Sequence, residues 1–248
     1  MKKIIILFLC LSLFLSSCKY QQQNVETTTS TISASTKTTK LLHSNLYINN
    51  LAVEDVIKYF NEVCLDSEFV NSGNPKVVQK WTEPITYCLF GNPTIKDERI
   101  IKSFCEQVNQ IHGFPGISQV SKDEFANLEI FFCDESEMID RLGENFYGMD
   151  GGVTFWYEEN EIYSSTICCR KDIYQKLRNS VIQEEIYNGL GPLQDTVLRE
   201  DSLIYQEFSQ PQKMTEIDIL ILKLLYHPDM LCGMNANECE NIIRSLYY

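Results

Sequence analysis

Histidine is scarce in this chain: His43, His112 and His227 are the three it has in 248 residues. Catalytic zinc commonly takes three histidines, or two with a carboxylate. His43 lies at the edge of a polar N-terminal tail, and the other two fall at expected helix ends, where histidine caps carbonyls or meets the helix dipole. A histidine-built zinc centre is therefore not expected. No pair of cysteines is spaced as C-x-x-C, which excludes a zinc ribbon, and no phosphate-binding glycine loop occurs. Basic charge is also in short supply, with 21 Lys and Arg against 34 Asp and Glu, a net −13. Setting aside Lys2 and Lys3 takes the formal charge to −15, and setting aside Lys19, Lys37 and Lys40 with Glu26 takes the remainder to −17. Such a surface excludes nucleic acid as a partner and any electrostatic grip on anionic lipid. No apolar run is long enough to span a bilayer.

What is present begins with a leader. Met1-Lys2-Lys3 is a positive start, and Ile4 to Phe14 is an apolar run of signal-peptide length. It closes on Leu15-Ser16-Ser17-Cys18, which resembles a bacterial lipobox; the resemblance implies cleavage after residue 17 and a lipid on Cys18. The alternative is an ordinary signal peptide with a chance cysteine. Residues 18–45, rich in Ser, Thr and Gln, cannot bury a core and read as a disordered tether. The remaining 46–248 suffice for one domain. The chain is thus expected at the cell membrane, on the extracytoplasmic face, anchored by lipid rather than spanning. Beyond Cys10 and Cys18, eight cysteines remain, an even number that permits disulfides in an exported domain, though free buried thiols serve equally. Adjacent Cys168 and Cys169 on a strand would point to opposite faces.

The most informative stretch is 182–195. Ile182, Ile186 and Leu190 recur every four residues, an apolar stripe for a core, while Glu184 and Asn188 stack on a polar face. Gly191 and Pro192 end the helix, glycine as a left-handed cap. Around this helix, roughly 174–190, the periodicities predict helices at 51–64, from Thr94 to Ile111 (opened by a Thr94/Asp97 capping box), at 135–142, from Thr215 to Tyr226 (a second box with Asp218) and at 236–246. They predict strands at 85–90, 127–133, 153–157 and 161–170, the last two a hairpin. The class is α+β: a small mixed sheet packed on an organising helix, with C-terminal helices.

The register of 182–195 is similar to the metzincin pattern HExxHxxGxxH. Glu184 falls on the first zinc histidine, Glu185 on the catalytic glutamate, Asn188 on the second histidine, Gly191 on the glycine and Gln194 on the third ligand. Ser202-Leu203-Ile204-Tyr205 resembles the Met-turn with Ile204 in place of methionine, and Trp81 resembles the matrixin entry strand. The resemblance implies a zincin-like scaffold stripped of its zinc histidines. The stretch from about 50 to 248 also resembles an uncharacterised bacterial domain family with a KW-x-x-PI entry strand, an EE-x-x-x-x-LG helix and a downstream aspartate, here Lys80-Trp81, Pro84-Ile85, Glu184-Glu185, Leu190-Gly191 and Asp195.

Glu184, Glu185, Asn188, Gly191, Gln194 and Asp195 are therefore the candidate cleft residues, with no catalytic residue, metal or cofactor assigned. Glu184, Glu185 and Asp195 could hold a hard cation such as calcium. Their structural alternative is to buttress neighbouring loops, since buried polar groups usually serve structure. Two functions stay open: a non-catalytic domain binding an unidentified protein or small ligand, and a metal-independent hydrolase using a carboxylate pair around Glu185.

Overall fold

A computed structural model describes residues 51–65, 76–191, 194–206 and 213–247. The leader, Cys18, the tether and the expected cap Asn50 lie outside them. Among the described residues no helix is long and apolar enough to cross a membrane.

Helix α1 (Val53–Leu65) buries Val56, Ile57, Phe60 and Val63, the face its periodicity predicts. The sheet follows. Strands β2 (Ile85–Phe90), β4 (Leu128–Cys133) and β6 (Glu161–Arg170) lie side by side and parallel. Strand β3 (Ile117–Gln119) adds in parallel beyond β2, and β1 (Lys80–Trp81) pairs in parallel with the start of β6. Only β5 (Gly151–Glu158) is antiparallel, forming the expected hairpin with β6. Its turn uses Glu159 and Asn160, both at positive φ, as tight hairpins require.

Helix α2 (Ile95–Val108) opens on the predicted box: Asp97 N–H donates to Thr94 Oγ1 at 3.2 Å and Thr94 N–H to Asp97 Oδ2 at 2.8 Å. It stops at Val108, short of the expected Ile111. The Asn109 side chain brackets Ile117, accepting from its N–H at 2.8 Å and donating to its carbonyl at 2.9 Å. That local competition ends the helix and holds β3, a strand too short to show any alternation in sequence. Helix α3 (Glu135–Leu142) leads through a 3-10 turn (Glu144–Phe146) into β5. The organising helix is α4 (Gln175–Asn188); α5 (Glu216–Leu225) and α6 (Ala236–Tyr247) close the chain.

Because α2 and α3 are threaded between parallel strands, the fold is mixed α/β with a mostly parallel sheet and, among the described residues, six helices. Of the expected α+β class, the mix of helices with a small mixed sheet holds; the segregation of helices from strands does not, because parallel neighbours need a crossover between them. Alternation divides the sheet into two faces. Ile85, Tyr87, Leu89, Leu128, Ile130, Phe132, Ile167 and Cys169 face the main core, shared with α1, α2, α4, α5 and α6. Phe131, Cys133 and Cys168 face the other way, under α3. Cys168 and Cys169 thus point apart as expected. All eight cysteines of the described residues are free, and all but Cys232 are buried.

One expectation for α4 needs correcting. Its apolar stripe is buried as predicted, but most of its polar side is buried as well: Arg178, Asn179, Ser180, Gln183, Glu185 and Asn188 are covered, Glu184 is half-buried and Lys176 is exposed. The reason is tertiary, since α4 packs against α2, β5 and β6 at once.

Candidate functional site

The entry dipeptide and the organising helix hold each other. Trp81 Nε1 donates to the carbonyl of Gly189 at 2.8 Å, satisfying one of the carbonyls left open where α4 ends. Tyr226 Oη donates to the carbonyl of Leu190 at 2.6 Å. Lys80 is buried without a carboxylate: its Nζ donates to the carbonyls of Leu225, at 2.9 Å, and Met230, beneath the Tyr226 ring. Burial holds its pKa below the usual lysine range, with the neighbouring Cys232 and Cys239 acting the other way. Sequence reading found this dipeptide as a motif and missed what it does. Gly191 follows at φ +129°, where an added Cβ would come within 2.9 Å of the Gln79 carbonyl. It is not the immediate cap of α4, which is Gly189 in a right-handed conformation.

The motif residues are placed as follows. Glu184 and Gln194 are half-buried. Glu185 is buried on a different side of the helix, its carboxylate against Gly151 at the start of β5; a side chain at 151 would collide with it, an Oε1 lying 2.8 Å from the Cβ position. Asn188 is 8 % exposed and points its amide at Asp195, Nδ2 donating to Oδ1 at a long 3.4 Å. Its Oδ1 is buried with no partner among the described residues. Burial pushes the Asp195 carboxyl above its usual range, and the Asn188 hydrogen bond only partly opposes this. The structure therefore brings Asn188 and Asp195 together at the C-terminal end of α4 and sets Glu185 beside the edge hairpin.

Beneath this end lies a second polar network. Ser202 Oγ donates to Asp218 Oδ1 at 2.7 Å and accepts from Tyr59 Oη at 2.8 Å. Leu203 N–H and Thr215 N–H also donate to the Asp218 carboxylate, and Tyr187 Oη donates to the Asp218 carbonyl at 3.0 Å. Burial raises the Asp218 carboxyl, and these donors lower it without reversing the shift. The capping aspartate of α5 thereby ties together α1, α4 and the Ser202–Tyr205 turn, whose Leu203 and Ile204 are fully buried. With its donors and acceptors matched, this network is a brace. Among the described residues no three His, Cys, Asp or Glu side chains gather as a metal centre would need.

Residues 53–245 match the family described as "Protein of unknown function (DUF2927)". The match covers most of the chain, which belongs to that family. No curated protein matches it.

Proposed function

We propose that this chain is a lipid-anchored extracytoplasmic protein whose zincin-like domain binds a partner or ligand at the C-terminal end of α4 and performs no zinc chemistry. The lipobox ending at Cys18 supports the anchor. The order of parts supports the scaffold: a sheet, the organising helix, a buried turn at Ser202–Tyr205, then a capped C-terminal helix.

The observation that carries the binding reading is Asn188 Oδ1, buried and unpaired beside Asp195. A buried orphan acceptor costs about 1–3 kcal/mol. It is one of six such side-chain atoms among the described residues, and the one that belongs to the 182–195 motif. A ligand carrying a hydrogen-bond donor would satisfy it, with the Asp195 carboxylate as a second acceptor. One observation favours the other reading, a metal-independent hydrolase: burial raises the half-buried Asp195 carboxyl in the direction a general acid needs, and Glu185 is a buried carboxylate set apart from it beside β5. Glu185→Gln separates the two, since it abolishes turnover in a hydrolase and leaves binding at Asn188 in place.

The direct test is Asn188→Leu in the full chain in detergent. Removing the orphan acceptor with retention of shape should outweigh loss of the long 3.4 Å bond to Asp195 and leave the melting temperature unchanged or raise it. A loss of about 2 kcal/mol would make Asn188 a structural brace and defeat the ligand reading. Metal analysis should find no stoichiometric zinc, and about one zinc per chain, removed with loss of stability, would overturn the non-zinc assignment. Mass spectrometry should find lipid on Cys18; an unmodified N-terminus there rejects the anchor.

A further inference from the structure

The second face of the sheet carries a small cluster separate from the main core. Cys133, Met138, Phe146 and Cys168 form it, with Phe131, Leu142 and Met149 packed against them. Four of these seven side chains contain sulfur. Phe131 is the register partner of Cys168, so Cys133 stands two residues further along β4 on the same face. Both thiols are buried, Cys133 at 2 % and Cys168 at 0 % exposure.

This placement does not suit a disulfide. Strands lie about 4.8 Å apart and rise about 3.3 Å per residue, so the two α-carbons are roughly 8 Å apart on the diagonal. Beyond about 7 Å a disulfide requires the backbone to move. A bridging ion asks less. Metal–thiolate bonds are about 2.3 Å, so an ion between two thiolates holds the sulfurs about 4.5 Å apart, within reach of two side chains leaning together. Two thiols with thioethers nearby are soft donors, suited to Cu(I) rather than to a hard cation. Zinc would want four ligands, and among the described residues no three His, Cys, Asp or Glu side chains gather to supply them.

We propose that Cys133 and Cys168, with the thioethers of Met138 and Met149 beside them, form a binding site for a monovalent soft metal ion of the Cu(I) type, held between the two thiolates beneath α3. On binding, two S–H bonds break and two metal–sulfur bonds form; both protons leave to solvent and the metal keeps its oxidation state. The bis-thiolate then carries one net negative charge, and the Arg141 guanidinium is placed to balance it, 3.8 Å above the Phe131 ring. The cover is thin. Helix α3 buries only Met138, and Gly143 and Gly148, both at positive φ, bound the 3-10 turn that completes it. Met149 is half-buried at the rim and offers an ion its first sulfur.

Anaerobic titration of the full chain in detergent with Cu(I), against a chromophoric Cu(I) chelator, tests this, with Ag(I) as a redox-inert second probe. The expected result is one ion per chain, a first shell of sulfur alone by X-ray absorption, and at least tenfold weaker binding in Cys133→Ser and Cys168→Ser. Cys232→Ser removes a thiol beside Lys80, outside the cluster, and should leave binding unchanged. Retention of the ion by the double variant, or dependence on Cys232, overturns the site. The wild-type chain decides even if the serine variants fail to fold: no ion retained, or nitrogen or oxygen in its shell, rejects the proposal.

Discussion

At its N-terminal end, α4 buries Arg178 against Asp97; at its C-terminal end it buries Asn188 against Asp195. The first pair is surrounded by partners. Arg178 donates to Asp97 at 3.2 Å, to Gln175 Oε1 at 2.7 Å and to the Lys171 carbonyl at 2.8 Å, while Asp97 also accepts from Gln175 and Thr94. The second pair has one long hydrogen bond and an acceptor with nothing to accept. Burial alone would raise both aspartates. At Asp97 the hydrogen bonds from Gln175, Thr94 and Arg178 outweigh it and the pKa falls; at Asp195 burial wins and the pKa rises. The contrast separates buried polarity that is compensated within the fold from buried polarity that is not, because desolvation is the same in kind at both ends and only the compensation differs.

The largest way to break the contrast is Arg178→Ala. It leaves Asp97, 1 % exposed, with its Gln175 and Thr94 hydrogen bonds but without the Arg178 guanidinium, and breaking a buried pair costs about 3–5 kcal/mol. Urea unfolding should show that loss at neutral pH, and a cost below about 1 kcal/mol would make the pair no stronger than a surface one. Between the two ends, Ile186→Ala should leave a cavity worth roughly 2–5 kcal/mol, since the side chain is 1 % exposed in the main core. If it melts like wild type, α4 is not the centre of the packing. Gly191→Ala should cost about 1 kcal/mol or more, from its positive φ and the approach to Gln79 and Leu225. An unchanged melt would mean the turn relaxes freely.

The smallest effect sharpens the contrast by its sign. The depressed Asp97 contributes stability that is present above its unfolded pKa, about 4, and lost as pH falls through the lower folded value. The raised Asp195 works in reverse: its contribution is fully present below that unfolded pKa and lost as pH rises through the folded one. Asp195→Asn should therefore stabilise slightly at pH 7, with the gain shrinking on acidification, whereas Asp97→Asn should destabilise at pH 7 and flatten the acid limb. Parallel pH profiles of unfolding free energy for the two variants would remove the distinction drawn between the ends.

How much of this was legible follows from the range of each interaction. The boxes at Thr94/Asp97 and Thr215/Asp218 span three residues, so a hydroxyl and a carboxylate at that spacing announce a helix start wherever the chain goes. The stripe of Ile182, Ile186 and Leu190 and the hairpin at Glu159-Asn160 are periodicities of one segment, and they too were readable. The sequence likewise placed the chain in an uncharacterised family through short motifs. It did not tell that Asp97 would receive Arg178, 81 positions away, that Lys80 and Trp81 would close helices ending more than 100 residues later, or that α4 would be buried on its polar side. Those outcomes depend on which surfaces the sheet brings together, and no local spacing encodes them. The same limit applies to the site: Glu184, Glu185 and Asn188 are neighbours along one helix, yet folding sent Glu185 to Gly151 and Asn188 to Asp195. Composition determined that the chain lacks zinc histidines and carries excess acid. Only the tertiary structure decided which buried polar groups were matched and which were left open, because matching is a property of partners distant in sequence.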